Sequence, residues 1–149
     1  MTRSAVLASI FLLTLATAAR SQNAWRDILE RQMTAVGNTV AGEGYRADNR
    51  AFHTDMIVGT LQDDASVALE VDLEFGVEYM IVGACDNDCT DLDLSLVDLQ
   101  GNVLFEDALD DDVPILRFTA PGGGTHFLLI DMYACSVEPC SFGYKVYRR

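Results

Sequence analysis

Positively charged side chains are scarce in this chain, which has 10 Lys and Arg residues against 23 Asp and Glu. The formal net charge is −13 at pH 7. Nucleic acids and anionic membrane surfaces repel a chain of this charge, so we exclude both as partners. The charge favours divalent cations or a basic partner, unless it serves only to keep the surface solvated.

Residues that commonly carry catalysis are also few. The two histidines are His53 and His126, and no serine stands in a Gly-x-Ser-x-Gly setting. We therefore predict no catalytic residue and a protein that is not an enzyme. A hydrolase that uses carboxylates stays as an alternative, and it requires two acids that face each other across a cleft.

Long apolar runs are missing except near the N-terminus. Residues 5–16 are uncharged and mostly apolar, Arg3 precedes them, and Ala16-Thr17-Ala18 follows. This run is shorter than the roughly 20 residues that span a bilayer, and the A-x-A site is typical of a cleaved signal peptide. We predict a signal peptide over 1–19 and a periplasmic or secreted mature chain without a membrane span.

The four cysteines occur as two close pairs, Cys85 with Cys89 and Cys135 with Cys140. In an exported chain they indicate two disulfide bonds. We favour the local pairing, 85–89 with 135–140. The pairing 85–135 with 89–140 stays open, because the first cysteine of each pair follows an alanine at the end of a predicted strand. A zinc site is disfavoured because the spacing is not C-x2-C.

The periodicity of apolar residues divides the chain into a helical part and a β part. Apolar residues at steps of three and four predict one amphipathic helix over 23–36. From about residue 54 the period changes to two, with turn residues between about eight short strands. We predict an antiparallel β-sandwich or jelly roll over 54–149, preceded by the helix and a linker over 20–53.

Four aspartates lie within and just after the first cysteine pair. They are Asp86, Asp88, Asp91 and Asp93. Calcium is coordinated by six to eight oxygens, so we predict these four as calcium ligands, with calcium the one candidate cofactor. The spacing is not that of an EF-hand loop, and the alternative is that the aspartates form the turn and protect a strand edge. We expect Asp91 and Asp93 to face water, because the leucines between them face the core.

Other polar and aromatic residues give further expectations. A second acidic run, Asp107 to Asp112, is expected to be a solvated loop. Asp131 lies among apolar residues, and Arg117 is its candidate partner. For a glycan ligand, the aromatic residues to consider first are Trp25, Tyr133 and Tyr147.

The turns and strands over 54–147 occur in an order that resembles the bacterial pre-peptidase C-terminal domain. The matching segments are Gly59-x-Leu61, Gly76-x-x-Tyr79-x-Ile81, Asp91-Leu-Asp-Leu-Ser-Leu-x-Asp98-x-x-Gly101, Gly124-x-His-Phe127-x-Leu129 and Tyr144-x-Val146. The resemblance implies a jelly-roll sandwich with a binding or secretion role, and some related collagen-binding modules hold calcium. We expect a stand-alone exported accessory module whose ligand is a polysaccharide or an envelope or secreted protein. The alternative is a calcium-dependent stability or adhesion module.

Overall fold

The fold consists of one helix and nine strands, in a computed structural model that describes residues 24–48 and 56–149. The predicted signal peptide and the boundary between 53 and 54 lie outside the described residues. Helix α1 covers residues 24–42. The strands are β1 Arg46–Ala47, β2 Ile57–Leu61, β3 Ala65–Leu73, β4 Glu78–Cys85, β5 Cys89–Val97, β6 Val103–Asp107, β7 Ile115–Thr119, β8 Gly124–Cys135 and β9 Cys140–Arg148.

The strands form two antiparallel sheets that pack face to face. In the five-stranded sheet β9 lies between β4 and the two strands β1 and β2, and β7 pairs with the other edge of β4. The four-stranded sheet has the order β3-β8-β5-β6. The strand orders 2-9-4-7 and 3-8-5-6 are those of a jelly roll. The predicted all-β sandwich of about eight strands is therefore confirmed, with the two-residue β1 in addition.

Side chains that alternate along each strand fill the space between the sheets. Leu92, Leu94 and Leu96 are all buried, as their spacing of two predicts for one face of a strand. Their neighbours in the core come from β8 and from the five-stranded sheet: Leu128, Ile130, Met132, Tyr79, Ile81, Leu116 and Phe118. The core between the two sheets is thus filled by side chains whose inward direction follows from the two-residue period of a β-strand.

Helix α1 adds a third layer on the outer face of the five-stranded sheet. Leu29, Met33 and Val40 are buried there against Met80, Val82, Ala84 and Tyr147. The helix continues six residues past the predicted end at 36. That prediction was wrong because packing of Val40 outweighs the low helix propensity of Gly37. No helix in the described part of the chain has the length and apolarity that crossing a bilayer requires.

Tyr45, which follows α1, connects the C-terminal end of the helix to the five-stranded sheet through side-chain contacts. Its hydroxyl group donates a hydrogen bond to Glu78, and the guanidinium groups of Arg117 and Arg149 lie 5.5 and 4.9 Å from the ring centroid. Arg117 also pairs with Glu43 at 2.7 Å, and Arg149 with Glu78 at 2.8 Å. These arginines are therefore neutralised within their own layer.

Both disulfide bonds are local. Cys85 is bonded to Cys89 across the turn between β4 and β5, and Cys135 to Cys140 across the turn between β8 and β9. Cys89 is the register partner of Cys135, so the two bonds lie side by side at one end of the sandwich. All four cysteines are bonded, which leaves no thiol for zinc or for nucleophilic attack.

Candidate functional site

The outer face of the four-stranded sheet is a candidate site because α1 packs on the opposite sheet. Its outward side chains alternate with the core residues of β3, β8, β5 and β6. They are Ser66, Ala68, Glu70, Asp72, Thr125, Phe127, Leu129, Asp131, Tyr133, Asp93, Ser95 and Glu106. Tyr133 is 64% exposed. We call this surface the acidic face.

Charge is segregated between the two sheets. The four strands of the acidic face contain seven Asp and Glu residues, two each in β3, β5 and β6 and one in β8, and no Lys or Arg. Every Lys and Arg among residues 24–48 and 56–149 lies on α1 or the five-stranded sheet, or directly follows β9. The acidic face therefore has an uncompensated negative potential.

Two carboxyl groups face each other directly on the acidic face. Asp93 of β5 and Asp131 of β8 are register partners, and β-carbons of such pairs lie about 5 Å apart. Desolvation raises the pKa of Asp93 to about 6, and the negative charges of Asp91, Asp131, Asp107 and Asp111 also raise it. Arg117 is not the partner of Asp131, because it belongs to the other sheet and pairs with Glu43.

Asp91 is buried, which corrects the expectation that it faces water. Its side chain is only 8% exposed, and its Oδ1 atom is buried without a hydrogen-bond partner. The register of β5 against β8 shifts on both sides of Asp91. The loop after β6 lies beside it, because the main-chain N–H of Leu92 donates to the carbonyl of Asp111. Desolvation and the charges of Asp110 and Asp111 raise the pKa of Asp91. Burial of Asp91 thus results from this irregularity and the covering loop.

The loop after β6 brings the second acidic run, Asp107 to Asp112, close to the start of β5. The main-chain N–H of Leu92 donates to the carbonyl of Asp111 at 3.0 Å, and that of Cys85 to the carbonyl of Asp112 at 3.2 Å. Asp111 Oδ1 also accepts from the N–H of Val113 at 2.9 Å. This run was expected to be a solvated loop, whereas it folds over the start of β5 and adds its charges to those of Asp91 and Asp93.

Asp86 and Asp88 belong to the crosslinked turn rather than to the acidic face. Asp86 Oδ2 accepts from the N–H of Ser141 at 2.7 Å, and Oδ1 accepts from that of Asp88 at 3.3 Å. The Asp88 carbonyl accepts from the N–H and the hydroxyl of Ser136, both at 2.7 Å. Neither acid is among the main causes of the raised pKa of Asp91 or Asp93. The four predicted calcium ligands thus separate into two pairs.

Within residues 24–48 and 56–149, no three His, Cys, Asp or Glu side chains lie close enough together to hold a metal ion. The acids on and around the acidic face therefore act on one another through their charges without forming a closed coordination shell. Asp91 has one buried carboxyl oxygen without a hydrogen-bond partner, and such burial disfavours its charged form.

Replacing Asp86 with alanine is expected to lower the free energy of unfolding by about 1 kcal/mol, because the buried N–H of Ser141 loses its acceptor. Urea unfolding of the oxidised protein would measure the difference. Asp86→Asn keeps one carbonyl oxygen and should recover part of the loss. An alanine variant as stable as the parent would show that this carboxylate does not hold the turn.

The three aromatic residues considered for a glycan occupy different environments. Tyr147 is buried under α1, and Trp25 packs against the same layer. Tyr133 is exposed and lies two residues from Asp131, hence on the same side of β8. Phe127 and Leu129 continue this side as a half-buried apolar strip. Of the three, Tyr133 is therefore the one available to a ligand on the acidic face.

No family model matches the sequence, and no curated protein is significantly similar to it. Among solved structures, the pre-peptidase C-terminal domain of a Bacillus anthracis collagenase is similar at 15% identity and a TM-score of 0.49, over 61% of this chain and 86% of that one. A periplasmic inhibitor of g-type lysozyme from Aeromonas hydrophila is similar at 9% identity and a TM-score of 0.46, over 63% and 84%. A CBM4 structure is similar at 11% identity and a TM-score of 0.43, over 71% and 79%. Similarity at this level does not establish a family or a function.

Proposed function

We propose that this chain is an exported, non-catalytic binding module of the pre-peptidase C-terminal type that acts in the cell envelope or the secreted fraction. The observation that carries the proposal is the acidic face, a broad sheet surface with an exposed tyrosine and charges of one sign. A sheet face of this kind provides a large contact area on a rigid scaffold, which suits recognition better than chemistry.

Several features support export and a binding role. The apolar run before Ala16-Thr17-Ala18 is typical of a signal peptide, and disulfide bonds persist in oxidising compartments. Asp93 and Asp131 lie on neighbouring strands of one open face, whereas a carboxylate hydrolase holds its substrate between acids on opposite walls of a cleft. The turn and strand signatures over 54–147 support the family assignment.

A binding screen with matched aromatic variants tests this function. The probes are insoluble peptidoglycan, chitin and an immobilised arginine-rich peptide, with the full chain in its oxidised form. We expect at least one probe to retain the parent protein and Tyr133→Ala to lose most of that retention. Phe75→Ala is the control, because Phe75 is 76% exposed but lies in the turn after β3. Retention by none of the probes, or release of sugar from a glycan, would contradict the proposal.

A second candidate is a calcium-dependent stability or adhesion module. It is favoured by one observation, the buried Asp91 Oδ1 atom without a partner among several acids. Carboxylate oxygens are the preferred ligands of calcium. The described residues bring no three acids close enough to hold an ion, so binding would require the loop after β6 to move Asp110 and Asp111 closer to Asp91. Asp86 and Asp88 would support it only through the shape of the turn.

Millimolar calcium is expected to raise the melting temperature of such a module by several degrees, because an ion that binds only the folded state stabilises it by mass action. Differential scanning fluorimetry with calcium, with magnesium and with chelator would measure the shift. Asp91→Asn should abolish the calcium effect, while Asp72→Asn, on the far end of the same sheet, should keep it. An unchanged melting temperature in calcium would eliminate this candidate.

A further inference from the structure

We propose that the acidic face binds a cationic polypeptide, and that an arginine side chain of the partner lies between Asp93 and Asp131 and against the ring of Tyr133. This inference rests on the proposed binding function and names its ligand. Three observations meet at this position: the directly opposed carboxyl groups, the exposed aromatic ring two residues away, and the absence of Lys and Arg from all four strands. Two residues along β5, the buried Asp91 carboxyl group also has an oxygen without a hydrogen-bond partner, so this end of the face lacks positive charge.

The uniform sign of the charge selects the class of ligand. A neutral glycan gains nothing from a negative field, and anionic polymers are repelled by it. A cationic partner instead gains attraction at a distance and contact energy once it is bound. The acids at the rim of the sheet, including Asp63 and Asp98 in adjoining loops, extend the field beyond the central position.

The central position favours arginine over lysine or a metal ion. A guanidinium group is planar, donates hydrogen bonds in two directions and stacks on aromatic rings, whereas an ammonium group is a compact and strongly hydrated charge. Asp93 and Asp131 can each accept one side of the guanidinium fork while Tyr133 covers its face. A metal ion lacks the third nearby ligand that it requires among the described residues.

A second copy of this chain is a poorer partner than a separate basic protein. Two copies repel each other because each has a formal net charge of −13. Three arginines on or next to the five-stranded sheet are also engaged within their own chain: Arg117 with Glu43, Arg148 with Glu74, and Arg149 with Glu78. Docking them on the acidic face would require these pairs to break. The position therefore fits a partner whose arginines have no acidic neighbours of their own.

Fluorescence anisotropy of a labelled peptide that alternates arginine and glycine tests the proposal with the full, oxidised chain. The same peptide with citrulline in place of arginine keeps the shape without the charge, and a lysine version keeps the charge without the fork. We expect the arginine peptide to bind most tightly and the citrulline peptide not to bind. Equal affinity for the lysine and arginine peptides would overturn the assignment of an arginine position.

Two charge-matched double variants locate the binding position. Asp93→Asn with Asp131→Asn is expected to weaken binding of the arginine peptide by about 30-fold, since it removes two charge-assisted contacts. Glu70→Gln with Asp72→Asn removes the same charge from exposed positions of the same face and should weaken binding less than about threefold. Equal losses would show that only the general field attracts the peptide, which would overturn the proposal. Thermal unfolding of each variant verifies that it is folded.

The pH dependence of the affinity for the arginine peptide gives an independent test of the role of Asp93. A bound guanidinium group favours ionised Asp93, so the affinity should fall as the pH decreases through about 6, where that carboxyl group takes up its proton. The double variant that combines Asp93→Asn with Asp131→Asn should show a flatter profile than the parent. A parent profile as flat as that of the double variant would contradict the role of Asp93.

The screen described above separates failure of this inference from failure of the binding function. If the arginine peptide does not bind but a glycan is retained in a Tyr133-dependent manner, the binding function stands and the cationic partner is wrong. If neither is retained, both proposals are wrong.

Discussion

Leu29→Ala is expected to lower the free energy of unfolding by about 3 kcal/mol, the largest effect of the single substitutions considered. Leu29 is 0% exposed and lies in the layer between α1 and the five-stranded sheet. The residue of the sheet that faces Leu29 is Gly143, and a β-carbon at that position would lie 3.4 Å from Leu29 Cδ1. The helix therefore sits close to the sheet, and removing the leucine side chain leaves a cavity that a rigid sheet cannot close.

Urea unfolding of the oxidised protein, followed by circular dichroism, would measure this loss. The control is Asn38→Ala, an exposed position of the same helix, for which we expect a change of no more than about 0.5 kcal/mol. If Leu29→Ala also had a negligible effect, the helix would be a detachable extension of the sandwich. A single cooperative transition in the parent, with helix and sheet signals lost together, would agree with one folding unit.

Asp93→Asn is expected to stabilise the protein by about 2 kcal/mol at pH 7. The pKa of Asp93 rises from an ordinary value of 3.8 to about 6 on folding, so its ionised form is disfavoured in the folded chain. Such a difference corresponds to roughly 3 kcal/mol in full, and partial exposure with solvent screening reduces it. An asparagine has the same shape and no charge, and it removes this cost.

The stabilisation expected for Asp93→Asn depends on pH, because the pKa of Asp93 is higher in the folded chain than in the unfolded chain. Below about pH 4 the carboxyl group is protonated in the folded and the unfolded chain, and the variant should match the parent. Between about pH 4 and 6 the folded chain binds a proton that the unfolded chain releases, so the stability of the parent falls as the pH increases. Above this window the difference between parent and variant should be constant.

Groups on three sides of Asp93 contribute to this behaviour: Asp91 on the same strand, Asp131 on β8, and Asp107 and Asp111 at the end of β6 and in the following loop. Glu70→Gln removes one charge from an exposed position of the same sheet, and we expect a change within about 0.5 kcal/mol. Denaturant unfolding at a series of pH values would compare the three proteins. If the Asp93 and Glu70 variants gave the same profile, the cost would come from net charge and not from the position of Asp93.

Much of the fold could be predicted from local sequence. A period of two places Leu92, Leu94 and Leu96 on one face, and glycine and acidic turns separate the strands. The end of α1 was predicted less well, because Gly37 and Val40 lie in a region where helix propensity and packing oppose each other. Only contact with the sheet explains why the helix continues to residue 42.

The candidate site could be predicted only in part. The four aspartates near the first cysteine pair were predicted as one cluster, but Asp86 and Asp88 serve the turn and only Asp93 belongs to the acidic face. Asp91 is buried next to the loop after β6. Asp131 was noticed for its apolar neighbours in sequence, yet its facing residue was not predictable. The alternation of residues on predicted strands indicates that Asp93 and Asp131 each point outward. It does not indicate that the two residues lie opposite each other.

The amino-acid sequence by itself determined the charge of this protein, its short alternating strands, its closely spaced cysteines and the class of its fold, because each depends on composition or on a few neighbouring residues. The tertiary structure determined which acidic side chains lie next to each other. Asp93 and Asp131 are far apart in the chain and become partners only because β5 pairs with β8, which follows β7 in the sequence. Burial of Asp91 likewise requires the loop after β6 to fold back over β5. Long-range strand pairing, and not local pattern, therefore places opposed carboxyl groups beside an exposed tyrosine.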